Sequence, residues 1–164
     1  MEQEEDSMKT SLMPLFLVGL VACGSPDATT LTNDSYSALA QGEYQTAFEG
    51  FEDVLARADV PDNVRPRAQM GAIEALVHLD AEKARDEFLT YAQANAGIGE
   101  KDYRVVGSKL TSARKFHEAI AVLDAGIQRY GQAEALTQTL KAIKLEAADD
   151  ESVQHELASL GDLN

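Results

Sequence analysis

The chain has 164 residues, 45% of them hydrophobic and 26% charged, proportions that suit one soluble domain with a single core. Its 28 acids and 14 bases give a net charge of -14, so nucleic-acid backbones and anionic headgroups are repelled over most of the surface, and nucleic acid is excluded as an expected partner. Trp is absent and Pro occurs 4 times, and from residue 35 onward Ala, Leu, Glu and Gln dominate, which favours helix over strand.

Residues Met8 to Cys23 read MKTSLMPLFLVGLVAC: Lys9, an apolar run from Leu12 to Ala22, then a cysteine. That is the layout of a secretory signal peptide. The apolar run is shorter than the roughly 20 residues a membrane-spanning helix needs, which argues against a retained transmembrane anchor. Leu20-Val21-Ala22-Cys23 resembles the lipobox of bacterial lipoproteins. The resemblance implies a signal peptide over residues 1–22, a diacylglyceryl group on the Cys23 thiol, acyl chains of the palmitate kind, and a mature chain starting at Cys23. Cys23 is the only cysteine, so no disulfide forms within the chain, and acylation would remove an otherwise reactive thiol. Glu2, Glu4, Glu5 and Asp6 make the extreme N-terminus acidic where export signals are basic, and Met8 is therefore the expected start. From Cys23 onward 24 acids face 13 bases, a net charge of -11. After the lipidated cysteine, GSPDATTLTN (24–33) reads as a flexible tether, making 23–33 the expected linker. Gly24 stands where the inner-membrane retention signal would place aspartate. That rule implies the outer membrane, facing the periplasm, in an organism that has one.

The remainder, 34–164, is expected to be one helical domain. Helices are predicted near 34–41, 44–57, 65–79, 81–95, 102–113, 116–130, 132–147 and 151–160. Three segments align without gaps: Ser35 to Leu55, Ala72 to Ala92 and Gly107 to Ile127. Each opens with a small residue (Ser35, Ala72, Gly107), has alanine twelve positions later (Ala47, Ala84, Ala119), and a large apolar residue four further on (Phe51, Phe88, Leu123). The alanines are 37 and 35 residues apart. These segments resemble tetratricopeptide repeats, two antiparallel helices per unit. Gly42-Glu43-Tyr44 and Arg114-Lys115-Phe116 match the family's turn and following aromatic, whereas the middle unit has Leu79-Asp80-Ala81. The closing proline is replaced by Asp59, Ala96 and Gly131, and the first-helix tryptophan by Leu31, Ala68 and Tyr103, so another α-solenoid and a nonrepetitive helical bundle stay open as alternatives. The resemblance implies an all-α fold, a short α-solenoid of antiparallel helix pairs with a C-terminal capping pair whose outer face is polar.

Chemistry-bearing patterns are few. His117-Glu118 lacks the second histidine of a zinc-protease helix. Gly97-Ile98-Gly99 follows a helix instead of a strand and reads as a loop between repeats. Asp149-Asp150-Glu151 lacks the alternating ligands of a calcium loop and suits a helix start. No cofactor, metal or catalytic group is expected, and the chain is read as a non-enzyme. The expected function is a membrane-anchored adaptor whose concave face holds a peptide or partner helix from a protein of the cell envelope. The alternatives are a self-assembling structural lipoprotein and a non-catalytic accessory subunit of a cell-envelope enzyme. Transferred by repeat position, the resemblance places Tyr36, Gln69, Ile73, Leu76, Lys101, Arg104, Ser108 and Thr111 on that face. Lys101 and Arg104 form a locally basic end suited to a carboxylate. The chaperone-binding carboxylate clamp is missing, since Thr32 and Tyr36 stand in its place.

Overall fold

The computed structural model describes residues 26–131 and 133–161; the expected signal peptide, residues 1–22, and Cys23 lie outside the described residues. All regular structure among the described residues is helical: α1 (Ala28–Ala40), α2 (Tyr44–Leu55), α3 (Arg65–Leu79), α4 (Ala81–Ala94), α5 (Glu100–Ser112), α6 (Phe116–Tyr130), α7 (Glu134–Glu146) and α8 (Glu151–Ser159). None of these helices is long and apolar enough to cross a membrane.

Residues 28–33, expected to belong to a flexible tether, are helical. Asp27 is the reason: its Oδ1 accepts from the backbone N–H of Thr29 at 2.9 Å and of Thr30 at 3.0 Å. Two otherwise orphaned donors are thereby satisfied. The same hydrogen bonds, that from Thr30 foremost, hold the Asp27 carboxyl below its usual range. Asp80 and Asp150 start α4 and α8 by the same device. Asp149-Asp150-Glu151 is thus a helix start, as expected.

Two of the interhelical turns share one geometry. Gly42 (φ 79) and Arg114 (φ 59) are both left-handed, and the residue after each donates its N–H back to a carbonyl five positions earlier, Glu43 to Ala38 and Lys115 to Leu110. This closes the preceding helix tightly enough to send the next one back along it. Leu79-Asp80-Ala81 does without it, Asp80 serving as last cap of α3 and first cap of α4 at once.

Each helix packs on its chain neighbour, except that α4 and α5 meet chiefly through other helices. Beyond these, α1 touches α3, α3 touches α5 and α5 touches α7, while α4 touches α6 and α6 touches α8. Odd-numbered and even-numbered helices therefore form two layers. The core between them is apolar and falls in two parts, one around α1 to α3 and one from α3 to α8, with Phe48 packed against both. Ala47, Ala84 and Ala119 are fully buried, as are Phe51, Phe88 and Leu123. A Cβ on Gly71 would stand 2.4 Å from the Phe51 ring, and one on Gly107 2.6 Å from Leu123. The glycines are there because the neighbouring side chains occupy that space.

Ala84→Leu and Ala119→Leu are expected to lower stability by about 1–3 kcal/mol each by overpacking these crossings, and Gly71→Ala to destabilise in the same way through Phe51. Ala94→Leu, at an exposed position of α4, is the control. Thermal midpoints unchanged in all the crossing variants would refute the packing described.

Candidate binding face

The odd-numbered helices carry two adjoining grooves. The larger, about 580 Å³, runs between Arg104, Ser108, Thr111 and Ser112 of α5 and Ala135, Gln138, Thr139, Ala142 and Glu146 of α7. The second, about 350 Å³, lies between Glu74 and His78 of α3 and Ser108, Lys109 and Ser112 of α5, with Ala113. Ser108 and Ser112 line both, so the two form one strip across α3, α5 and α7. Adjoining it at Glu74 and Lys109, between α3 and α5, is a small, mostly apolar hollow of about 100 Å³ lined also by Ile73, Val77 and Val106 among others.

Within the strip the Lys109 ammonium pairs with the Glu74 carboxylate, joining α5 to α3. The His78 ring stacks flat on Tyr44, centroids 3.9 Å apart and planes 8° from parallel. Partial desolvation of the ring, with the nearby Lys109 ammonium, lowers the His78 pKa against the pull of Glu74. Thr111 and Thr139 donate their hydroxyls to carbonyls one turn back, Gly107 at 2.8 Å and Ala135 at 3.0 Å. Arg104 and Glu146, at opposite ends of the larger groove, make no ion pair among the described residues.

Of the residues that the repeat positions assigned to the face, Arg104, Ser108 and Thr111 are brought together in the larger groove, Thr111 lying mostly buried in its wall. Lys101 is exposed and Gln69 half-buried, and neither is among the residues lining these two grooves. Ile73 and Leu76 are corrected: at 1% and 4% exposure they belong to the core. Their helix, α3, is packed by α1, α2, α4 and α5 and is apolar on most sides, which leaves little of it for a partner. Tyr36 is corrected in part: half-buried, it serves as a strut from α1 to α3, its ring edge-on to Phe51 at 4.9 Å and its hydroxyl donating to the Arg67 carbonyl at 2.8 Å. The α7 wall was not anticipated. A spacing of 34 from Arg104 and Ser108 reaches Gln138 and Ala142, and extending the repeat register into α7 would have found it.

Charge divides between the layers. The odd-numbered helices hold 7 bases and 6 acids, the even-numbered ones 3 bases and 10 acids. The grooves thus lie in a near-neutral layer of an acidic protein. On the acidic layer, Asp80, Glu82, Asp86 and Glu87, together with Lys83 and Thr90, line an open depression along α4.

The three histidines are dispersed, His78 on α3, His117 on α6 and His155 on α8. His117 of α6 bonds through Nδ1 to the Glu156 carboxylate of α8, while its Nε2 lies 3.3 Å from Ser152 Oγ. The order Ser–His–carboxylate resembles an acyl-transfer triad, but the proton directions do not. The Ser152 hydroxyl donates to Asp150 at 2.7 Å, and the neighbouring N–H groups of Ser152 and Val153 also point to Asp150. Every partner is satisfied when His117 is the imidazolium, donating to Glu156 and Ser152 both. The cluster is a clasp holding α8 on α6. Gly97-Ile98-Gly99 is also structural: the Ile98 carbonyl accepts from the Tyr130 hydroxyl at 2.5 Å, and the Gly99 N–H donates to Asp102 at 2.8 Å.

Compared with known proteins, the chain matches no family model, no curated protein and no solved structure.

The clasp has a pH signature. Its hydrogen bond to Glu156 raises the His117 pKa above 6.5, so the stabilisation is complete below 6.5 and disappears as pH rises through the folded-state value. Glu156→Gln should therefore lower the denaturation midpoint only slightly near pH 5.5, the pair being part-exposed and screened, and leave it unchanged near pH 9, the two pH values being chosen about a unit or more either side of the histidine range. An equal loss at both would show that the contact is insensitive to the His117 charge.

Proposed function

We propose that this chain is a membrane-anchored lipoprotein whose helix pairs form a short solenoid of the tetratricopeptide kind, and that it serves as an adaptor, holding a segment of another cell-envelope protein on the layer of odd-numbered helices. The continuous strip across α3, α5 and α7, open and near-neutral on an otherwise acidic protein, carries the reading. Three further observations support it. Each odd-numbered helix packs on the next odd-numbered helix and, from α4 onward, each even-numbered on the next even-numbered, the neighbour-to-neighbour stacking of repeat proteins. The aligned alanines are all buried. The outward residues of α8, among them Glu151, Ser152, His155 and Ser159, are polar and exposed, as a terminal cap requires.

The anchor reading rests on the sequence around Cys23. With α1 starting at Ala28, capped by Asp27, and the Pro26 carbonyl accepting from Arg57 at 2.6 Å, the anchor reading seats the domain against the membrane. In a diderm organism the reading places it on the outer membrane, facing the periplasm.

Two measurements test these proposals. Metabolic labelling with a fatty-acid analogue should mark the wild type and not Cys23→Ala; an unlabelled wild type overturns the anchor. Photo-crosslinkers at Ser108 and Thr139 in the full chain, in its native membranes, should trap one common protein, whereas those at Glu52, Asp86 and Asp124 on the even-numbered helices should not. The opposite pattern would move the binding surface to the acidic layer.

A further inference from the structure

The α5–α7 groove has a direction. Arg104 stands near the N-terminal end of α5 and Glu146 is the last residue of α7. The two reversals through α6 bring α7 back alongside α5. One end of the groove thus presents a guanidinium and the other a carboxylate, each without an ion-pair partner among the described residues. Between them the walls offer little to an extended chain: the Thr111 and Thr139 hydroxyls are already bonded to their own helices, leaving Ser108, Ser112 and Gln138 to satisfy its N–H and C=O groups. A helix brings those groups satisfied internally. The α7 wall, Ala135 to Glu146, runs roughly 16 Å at 1.5 Å per residue, about three turns of helix.

We propose that the groove takes a single helix of a partner protein, lying antiparallel to α5 and α7, with its N-terminal end at Glu146 and its C-terminal end at Arg104. The macrodipole favours that direction, since its positive end meets the carboxylate and its negative end the guanidinium. The side chains that complete the contact are a base in the partner's first turn, facing Glu146, and an acid in its last turn, facing Arg104, where a planar carboxylate pairs with the guanidinium in bidentate fashion. This charge order is the reverse of what an isolated helix prefers, acids first and bases last. Finding it in a ligand therefore reports the groove and not the ligand's own stability.

The inference rests on the proposed binding role of this face and is separable from it by experiment. The full-length chain in detergent is used to select from a displayed library of random peptides of about 14 residues, enough to span the groove as a helix. The expected result is enriched peptides that are helical when bound, with Lys or Arg in the first turn and Asp or Glu in the last. Arg104→Glu should weaken them about tenfold, the loss expected for one charged hydrogen-bonding pair, and Arg104→Glu with Glu146→Lys should select the inverted order. Arg104 and Glu146 are exposed, and an unchanged melting midpoint confirms that the variants fold. Enriched peptides with acids first, or peptides that bind Arg104→Glu as well as the wild type, overturn the assigned direction while leaving a binding role for the face. A second copy of the chain occupying the groove, seen as a dimer by light scattering that Arg104→Glu dissolves, overturns the assignment to a foreign helix. No enrichment, together with crosslinks confined to the even-numbered helices, overturns the binding role itself.

Discussion

The Phe51 ring and the backbone of Gly71 occupy space that one added methyl group would close, with 2.4 Å between the ring and the missing Cβ. The same closeness recurs along the chain with different residues. Leu123 lies over Gly107, while Gly126 gives way to Leu136 on one side and the Tyr103 ring on the other. Neither Ala84 nor Ala119 has any exposed surface. Interiors packed to this density do not yield by a methyl group, so these contacts set how far apart neighbouring helices stand. That spacing in turn fixes the width of the grooves between α3, α5 and α7. The repeated pattern of the sequence is thus conserved in space as a distance and not as a set of identical contacts: the first unit seats its large side chain on a glycine of the following helix, and the third seats it on a glycine of its own pair.

The same layering governs charge. An acidic chain must place its carboxylates where water solvates them, and the even-numbered helices carry 10 acids against 3 bases. That concentration leaves the odd-numbered layer nearly balanced and free of the long-range repulsion that the net charge would otherwise impose on an approaching acidic protein. The ion pair of Glu74 with Lys109 contributes little stability of its own, being partly exposed and screened. Its effect is to neutralise the centre of the strip, so that Arg104 and Glu146 are the charges left at the ends of the larger groove.

Most helix limits were legible, and the exceptions have physical causes. From α2 to α8 the observed limits lie within two residues of the periodicity's expectation. At α1 they differ by six: Thr29, Thr30 and Thr32 are weak helix formers, and propensity alone gives no reason to begin at Ala28. The cap from Asp27 and the burial of Ala28, Thr32 and Ser35 outweigh that weakness, and only the cap was visible in the sequence. The binding face was less legible. Repeat position placed Ile73 beside Ser108, but side-chain size decides whether such a position opens or fills. Serine leaves a groove above α5, whereas isoleucine closes the space between α3 and its neighbours. The surrounding Gly71-Ala72-Ile73 and Ala75-Leu76-Val77 already describe a helix buried on nearly every side. The α7 wall is hidden for the opposite reason: α7 belongs to a terminal, polar pair, yet its Gln138 and Ala142 share a groove with α5.

On the proposed anchoring at Cys23, layer charge and the nearness of α1 to the anchor together constrain how the molecule stands. On that proposal α1 would lie close to the headgroups and, since each later pair packs onto the one before it, α7 and α8 would lie at the end of the stack remote from the anchor. The even-numbered helices cannot lie flat on an anionic surface, since their excess of carboxylates is repelled within about a Debye length of it, roughly 8 Å at physiological salt. The stack is therefore favoured with its acidic layer turned from the bilayer or held upright beyond that distance. In the upright pose the α5–α7 groove is the part of the near-neutral layer least hindered by the membrane. Anchoring of that kind would confine the encounter with a partner helix to a zone a domain's height above the surface, which would raise its effective concentration without any added contact.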